Sequence, residues 1–478
     1  MSGTWLNGMD SDRVGKLYLA VVVVTFVLGG VMALFLHTEL ASAGDTLLSS
    51  VEFGRFLSAH GLLMIFLFLA PAIPAVFGNL VLPRLLGAEA TALPALGVMS
   101  WLLYALGALV IVPAALFGGL EGGWDFFAVF QAGAAPGLAA TLLTLGVSLT
   151  AASLVCNGVN FILTIHRRPD ASTGFYDLPV LAWTLYATAV VHILATVALV
   201  VTVTIISADA KAAGGLIDPA AGGDPGLPAR WFWMFAHPFV YVSLLPAVGV
   251  ITETLARTAR QRAFAPRATA AAVVLYAALV CLTWGQHLFG SGDDLADTVH
   301  SGLALLTIVP AALFAMNWLG TLYGGAIRLS TAFWYALAAV AMLAVAGVSG
   351  LLTATPGPGA MLRGTLFAGA QFHYLVGGIL FAFLAGLHMW WTVLFGRRPA
   401  EGSGTLGALL IVVGYNAAFA PRLLMGLRGA TKGWSGPPGD LGILSVVGGG
   451  LLVVGLAVAV WSLLAAYRGG APVAGAAD

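Results

Sequence analysis

His60, His237, His287 and His373 each stand inside or at the end of a long apolar run, and His37 and His300 lie near the ends of two more. Imidazole is a neutral ligand suited to iron and copper. An ionisable side chain in hydrocarbon is costly, so its presence marks a candidate functional site. Several histidines at one depth point to iron or copper. Two from different helices can clamp a haem edge-on within a bundle, and His60 and His373 form the natural pair. Beside them two carboxamides stand where a metal-binding reading wants further ligands: Gln286 precedes His287, and Gln371 lies two residues before His373. Residues 371 and 373 are about 200° apart around a helix and face opposite sides. The plainer readings are interfacial hydrogen bonding for His37 and His300 and ordinary packing for His192 and His388.

The elements that must position these residues follow from composition. With 60% hydrophobic and 8% charged residues and a mean hydropathy of +0.98, an ordinary soluble domain is excluded. The chain reads as an all-α integral membrane protein. Crossing about 30 Å of hydrocarbon takes about 20 residues, and apolar stretches of that order fall at 17–38, 58–83, 95–118, 140–165, 181–206, 232–256, 268–289, 299–323, 331–353, 366–395, 405–426 and 441–467. A β-barrel would alternate polar and apolar residues, which these runs do not. The first run follows a polar start and is long enough to remain as a helix, unlike a cleavable signal peptide. The twelve segments form one membrane domain over residues 1–478 with short loops, the longest being a Gly-, Pro- and Asp-rich irregular stretch from Ser207 to Arg230. Cys156 and Cys281 lie in separate apolar segments and read as packing residues.

Basic residues set the expected orientation. With the N-terminus cytoplasmic, thirteen of the twenty Lys and Arg fall on the inner side, so both termini are expected inside. The six histidines named first then gather at the outer face.

At this point the chain resembles the main subunit of haem-copper respiratory oxidases, the family of cytochrome c oxidase subunit I. The strings that carry the resemblance run in the family's order: His60-Gly61 with Pro71, Gly78-Asn79 and Pro83; Asp218-Pro219-Ala220 leading to His237-Pro238 and Val240-Tyr241; Trp284 with His287; Trp318-Leu319 with Gly324-Gly325; Phe372-His373-Tyr374; and Asn416 with Pro421 and Gly426-Leu427. The resemblance implies a twelve-helix bundle. By it, His60 and His373 match the axial ligands of a low-spin haem, of type b or a. His237 and His287 match two copper ligands, and Tyr241 matches the active-site tyrosine. It also implies partner subunits of a respiratory complex, an electron donor such as cytochrome c or quinol, surrounding lipid, no nucleic acid, and a bacterial inner membrane.

The departures are equally specific. The third copper ligand falls at Gln286 and the proximal ligand of the second haem at Gln371, which leaves open whether copper and a second haem bind. Proton-carrying positions of the family fall at Phe239, Phe314 and Ala90. The magnesium-linked pair falls at Arg363-Gly364, the propionate-binding pair at Lys432-Gly433, and an arginine near the low-spin haem edge at His37. Three readings follow: an oxidoreductase acting on oxygen or nitric oxide with unusual ligation, an electron-relay paralogue keeping one haem, and a solute transporter. The last leaves the ordered strings unexplained.

Overall fold

The computed structural model describes residues 10–40, 46–118, 120, 124, 137–170, 172, 174–212, 215–287, 295–431 and 439–470. Among them eleven helices are long and apolar enough to cross a membrane: α1 (Ser11–Glu39), α2 (Ser50–Leu80), α3 (Pro94–Phe117), α4 (Leu138–His166), α5 (Val180–Asp209), α6 (Leu227–Thr258), α8 (Thr298–Leu322), α9 (Thr331–Ala354), α10 (Leu366–Phe395), α11 (Glu401–Leu427) and α12 (Asp440–Gly469). A shorter apolar helix, α7 (Pro266–Leu282), completes twelve. Each matches one apolar stretch, because the run of hydrophobic residues and the need to satisfy every backbone group within the segment act together.

Two boundaries differ from expectation for local reasons. The apolar run at 268–289 ends as helix at Leu282, where the Thr283 side chain bonds the Leu279 carbonyl at 3.0 Å and residues Trp284–His287 tighten into a 3₁₀ turn. Of the loop expected from Ser207 to Arg230, helix claims both ends: α5 continues to Ala212 and α6 begins at Leu227.

Prolines shape the two helices that carry the site. In α2, Pro71 has no N–H to give Leu67, and the turn before it, Leu63–Leu69, widens to π geometry. The freed Leu67 carbonyl accepts from Tyr104 Oη at 2.5 Å and Thr25 Oγ1 at 3.2 Å, so no backbone group is left bare in hydrocarbon. In α6, Pro246 tightens the helix at Val242–Ser243. The Leu245 N–H then bonds Val242 O at 2.9 Å, and the Tyr241 carbonyl accepts from Tyr276 Oη at 3.2 Å.

Small residues let helices approach. A Cβ at Gly414 of α11 or at Gly448 of α12 would run into the backbone of Leu452 or Ala418 on the facing helix, the close packing that small residues allow in membranes. Lipid-facing positions such as Val24, Leu109, Val200 and Trp461 stay exposed. A cavity of about 1550 Å³ opens within the bundle, lined by residues of α1, α2, α6–α12.

Candidate functional site

His60, nearly three turns into α2, and His373, two turns into α10, meet across this cavity. Their imidazole rings lie 6.3 Å apart, centre to centre, and are parallel within 5°. Each Nδ1 bonds a backbone carbonyl: His60 to Gly29 O of α1 at 2.9 Å and His373 to Gly369 O at 2.7 Å. A carbonyl can only accept, so Nδ1 carries the hydrogen and Nε2 keeps its lone pair. A second bond of this kind fixes the tautomer and orientation of metal-ligating histidines. With a metal–imidazole bond of about 2 Å and a further ~1.1 Å to the ring centre, two trans imidazoles on one ion stand about 6 Å apart. The observed spacing fits a single ion between them. The Phe419 ring stacks on His373 at 4.4 Å and 18°, and Tyr415 Oη bonds the His373 carbonyl at 2.5 Å.

The other half of the cavity holds His237, Tyr241 and Gln371. His237 Nε2 lies 2.8 Å from Thr283 Oγ1. That hydroxyl already donates to Leu279 O, so Nε2 is the donor here and the His237 lone pair sits on Nδ1. One turn on, the Tyr241 ring stacks on His237 at 4.5 Å. The Gln371 amide is turned to the backbone of α9, its Nε2 3.3 Å from Ala346 O, and Gly350 gives it room. The side chains of Gln286 and His287 lie outside the described residues, as do Lys432 and Gly433. Among the described residues no group of three or more His, Cys, Asp or Glu converges on one point.

Phe239, Phe314 and Ala90, where the resemblance puts the family's proton carriers, lie in apolar or small surroundings. Phe239 packs in a cluster with Phe66, Phe235 and the His192 ring. Phe314 is buried against Tyr276 and Trp318. Ala90 lines a small cavity of about 210 Å³ with Thr164 and Arg167.

What sequence reasoning missed is a buried polar string nearby. Tyr18 Oη sits 2.5 Å from Ser100 Oγ and 2.6 Å from Ser153 Oγ. It accepts from Asn157 Nδ2 at 3.0 Å, and Asn79 Nδ2 bonds Asn157 Oδ1 at 3.2 Å. Asn160 and Thr164 extend the polar positions along α4 toward the small cavity, bonding the 91–93 segment. The bonded partners are 67 to 139 residues apart in sequence. Tyr18→Phe takes a partner from Ser100, Ser153 and Asn157 at once, so a loss of about 1–3 kcal/mol in stability is expected. Unfolding in mixed micelles would measure it; an unchanged midpoint would mean that the three neighbours re-pair among themselves.

His37 also departs from expectation. Instead of meeting solvent at the interface it lines the cavity, with Nδ1 3.3 Å from Arg422 Nη2 of α11. His300 likewise lines the cavity, edge-on to Trp284 at 5.9 Å. His192 and His388 are buried among packed side chains, His388 bonding Leu384 O at 2.9 Å, and Cys156 and Cys281 are free thiols.

Comparison with known proteins bears on the whole chain. The family described as Cytochrome C and Quinol oxidase polypeptide I matches residues 13–463. Cytochrome c oxidase subunit 1 of Bacillus sp. (strain PS3) is 30% identical over 431 residues, covering 90% of this chain and 70% of that protein. A probable quinol oxidase subunit 1 of Staphylococcus haemolyticus (strain JCSC1435) is 31% identical over 470 residues, covering 96% and 70%. Cytochrome c oxidase subunit 1 of Thermostichus vulcanus is 31% identical over 427 residues, covering 89% and 77%. In fold, the chain is similar to a solved cryo-EM structure of a haem-copper terminal oxidase dimer, with a TM-score of 0.79 at 17% identity over 96% of this chain and 85% of that one. Twelve apolar helices around a histidine-lined cavity, with the family matched from α1 into α12, make this chain a member of the cytochrome c and quinol oxidase polypeptide I family, the haem-bearing membrane subunit of haem-copper respiratory oxidases.

Proposed function

We propose that this chain is a single-domain electron-carrying subunit that binds one low-spin haem, of type b or a, between His60 and His373, and that its second metal site is altered. The observation that carries the reading is the pair of parallel imidazoles 6.3 Å apart, each held by a carbonyl at Nδ1. Such a haem exchanges single electrons through an iron with no open coordination position. The protein's part is to hold both imidazoles at the right separation, keep them neutral, and exclude bulk water with Phe419, Tyr415 and Phe68.

The second site supports less. Gln371 spends its amide on the Ala346 carbonyl, and a carboxamide is a weaker donor to iron than imidazole. Among the described residues no group of three or more His, Cys, Asp or Glu gathers there. His237 and Tyr241 stack on one another where they line the cavity, which favours a second reading: an oxidoreductase acting on oxygen or nitric oxide with unusual ligation at Gln286, His287 and Gln371. Electrons would come from cytochrome c or a quinol through partner subunits, since relatives of both kinds are similar. Both termini would face the cytoplasm of a bacterial inner membrane.

A reduced-minus-oxidised spectrum with pyridine haemochrome and copper quantification on the purified protein separates the two. One haem per chain without copper is the expected result. Two haems and one copper would move the assignment to the oxidoreductase.

A further inference from the structure

Arg422 is a charged side chain lining the cavity, and its surroundings leave its charge unbalanced. Its Nε donates to Ser445 Oγ of α12 at 3.0 Å. Its Nη2 meets His37 Nδ1 of α1 at 3.3 Å, and since guanidinium has only donors, His37 is the acceptor and is neutral. The guanidinium carbon stands 5.7 Å from the centre of the Phe419 ring. All three partners are uncharged. Among the described residues no carboxylate lies within ion-pair reach of Arg422, whereas Lys16, Arg84, Arg230, Arg267 and Arg328 each pair with a carboxylate near a helix end. The acid of the same cavity, Glu39, is spent elsewhere: its carboxylate accepts from the backbone N–H groups of Thr46, Leu47 and Leu48 at 2.8, 2.7 and 2.9 Å. A cation at this depth without an anion is costly.

Position says what the anion is. Phe419 lies one helical turn from Arg422 and stacks on His373, so the guanidinium stands within about 10 Å of that ring and on the same cavity wall. We propose that Arg422, held by His37 and Ser445, is the anchor for a carboxylate of the haem that His60 and His373 bind, and that its charge raises the potential of that haem. This rests on the haem reading above. A guanidinium suits the task because it is always charged and presents a planar fork that matches a carboxylate. Ser445 and His37 fix the fork from two other helices, so α1, α11 and α12 all contribute to one contact.

The test uses the purified protein with its native haem. In Arg422→Gln both axial histidines remain, so the α-band should persist while the reduced-to-oxidised equilibrium shifts at least tenfold toward oxidised, a fall of about 59 mV in the one-electron midpoint. Arg422→Lys keeps the charge but not the fork, and its midpoint should move less than threefold. In both variants the redox-difference infrared bands of the haem carboxylates should shift. An unchanged midpoint in Arg422→Gln with unmoved carboxylate bands would overturn the proposal. If the Gln variant does not assemble, the Lys variant decides: unmoved carboxylate bands there overturn it equally. A wild-type protein without any bis-histidine spectrum would instead defeat the haem reading itself, which a normal spectrum with an unmoved midpoint would not.

Discussion

Alanine at either position 60 or position 373 is expected to abolish the low-spin α-band completely, while the protein still folds into the membrane. In the proposed haem site each imidazole would supply one of the two axial bonds. Phe419 and Phe372 flank His373, and Leu57, Gly61 and Met64 line the cavity near His60 in the same helix. A six-coordinate spectrum cannot survive with one axial position open. The fold loses only one backbone hydrogen bond per variant, which costs about 0.5–1.5 kcal/mol, too little to unfold a twelve-helix bundle. His192→Ala and His388→Ala are the controls. Both histidines are buried in the bundle, but they face Phe239 and Tyr335 rather than each other. Their variants should keep the band. A normal spectrum in both His60→Ala and His373→Ala would refute the pairing, and loss of the band in the two controls as well would mean that the effect is general destabilisation.

This pairing was legible in the sequence because its signal is local. A histidine within an apolar run stands out by composition alone, and the strings around His60 and His373 supply order along the chain. The twelve segments were legible for the same reason, since hydropathy over about 20 residues is set by residues that are neighbours. What escaped depends on partners distant in sequence. His37 reads as an interfacial hydrogen bonder until Arg422, 385 residues away, is placed beside it. The string of Tyr18, Ser100, Ser153 and Asn157 joins α1, α3 and α4, yet each member alone is an unremarkable polar residue in an apolar helix. Proline shows the intermediate case. Pro71 and Pro246 announce that α2 and α6 are interrupted, but the groups that accept or donate at the break, Thr25, Tyr104 and Tyr276, could only be found once the helices were packed.

Oxygen consumption by the purified protein is expected to fall at least 10²-fold below that of a conventional family member, with no proton ejection from vesicles. Losing a single positioned acid–base group typically costs about 10²–10⁴ in rate, and by the resemblance Phe239, Phe314 and Ala90 stand at three such positions. The buried polar string of Thr164, Asn160, Asn157, Asn79 and Tyr18 offers hydroxyls and amides, with direct side-chain bonds joining Asn79, Asn157 and Tyr18. None of them ionises readily. It begins beside Ala90 rather than an acid. At the other end Tyr104 hands its hydroxyl to the Leu67 carbonyl, and the adjacent Phe66 packs with Phe235 and Phe239. The rings of Phe66, Phe235 and Phe239 pack on one another, and a hydrocarbon ring relays no proton. Beyond them, Gln371 offers the cavity an amide already bonded to Ala346. On the proposed reading the deficits in ligation and in proton supply are independent, so repairing one should not restore turnover. Gln371→His alone should leave oxygen consumption unchanged even if it gains a second haem, because Phe239 and Phe314 still block delivery; turnover restored to conventional rates by that single change would show that ligation was the only deficit. Rapid oxygen reduction by the unaltered protein, with protons ejected, would sink the whole argument from missing carriers.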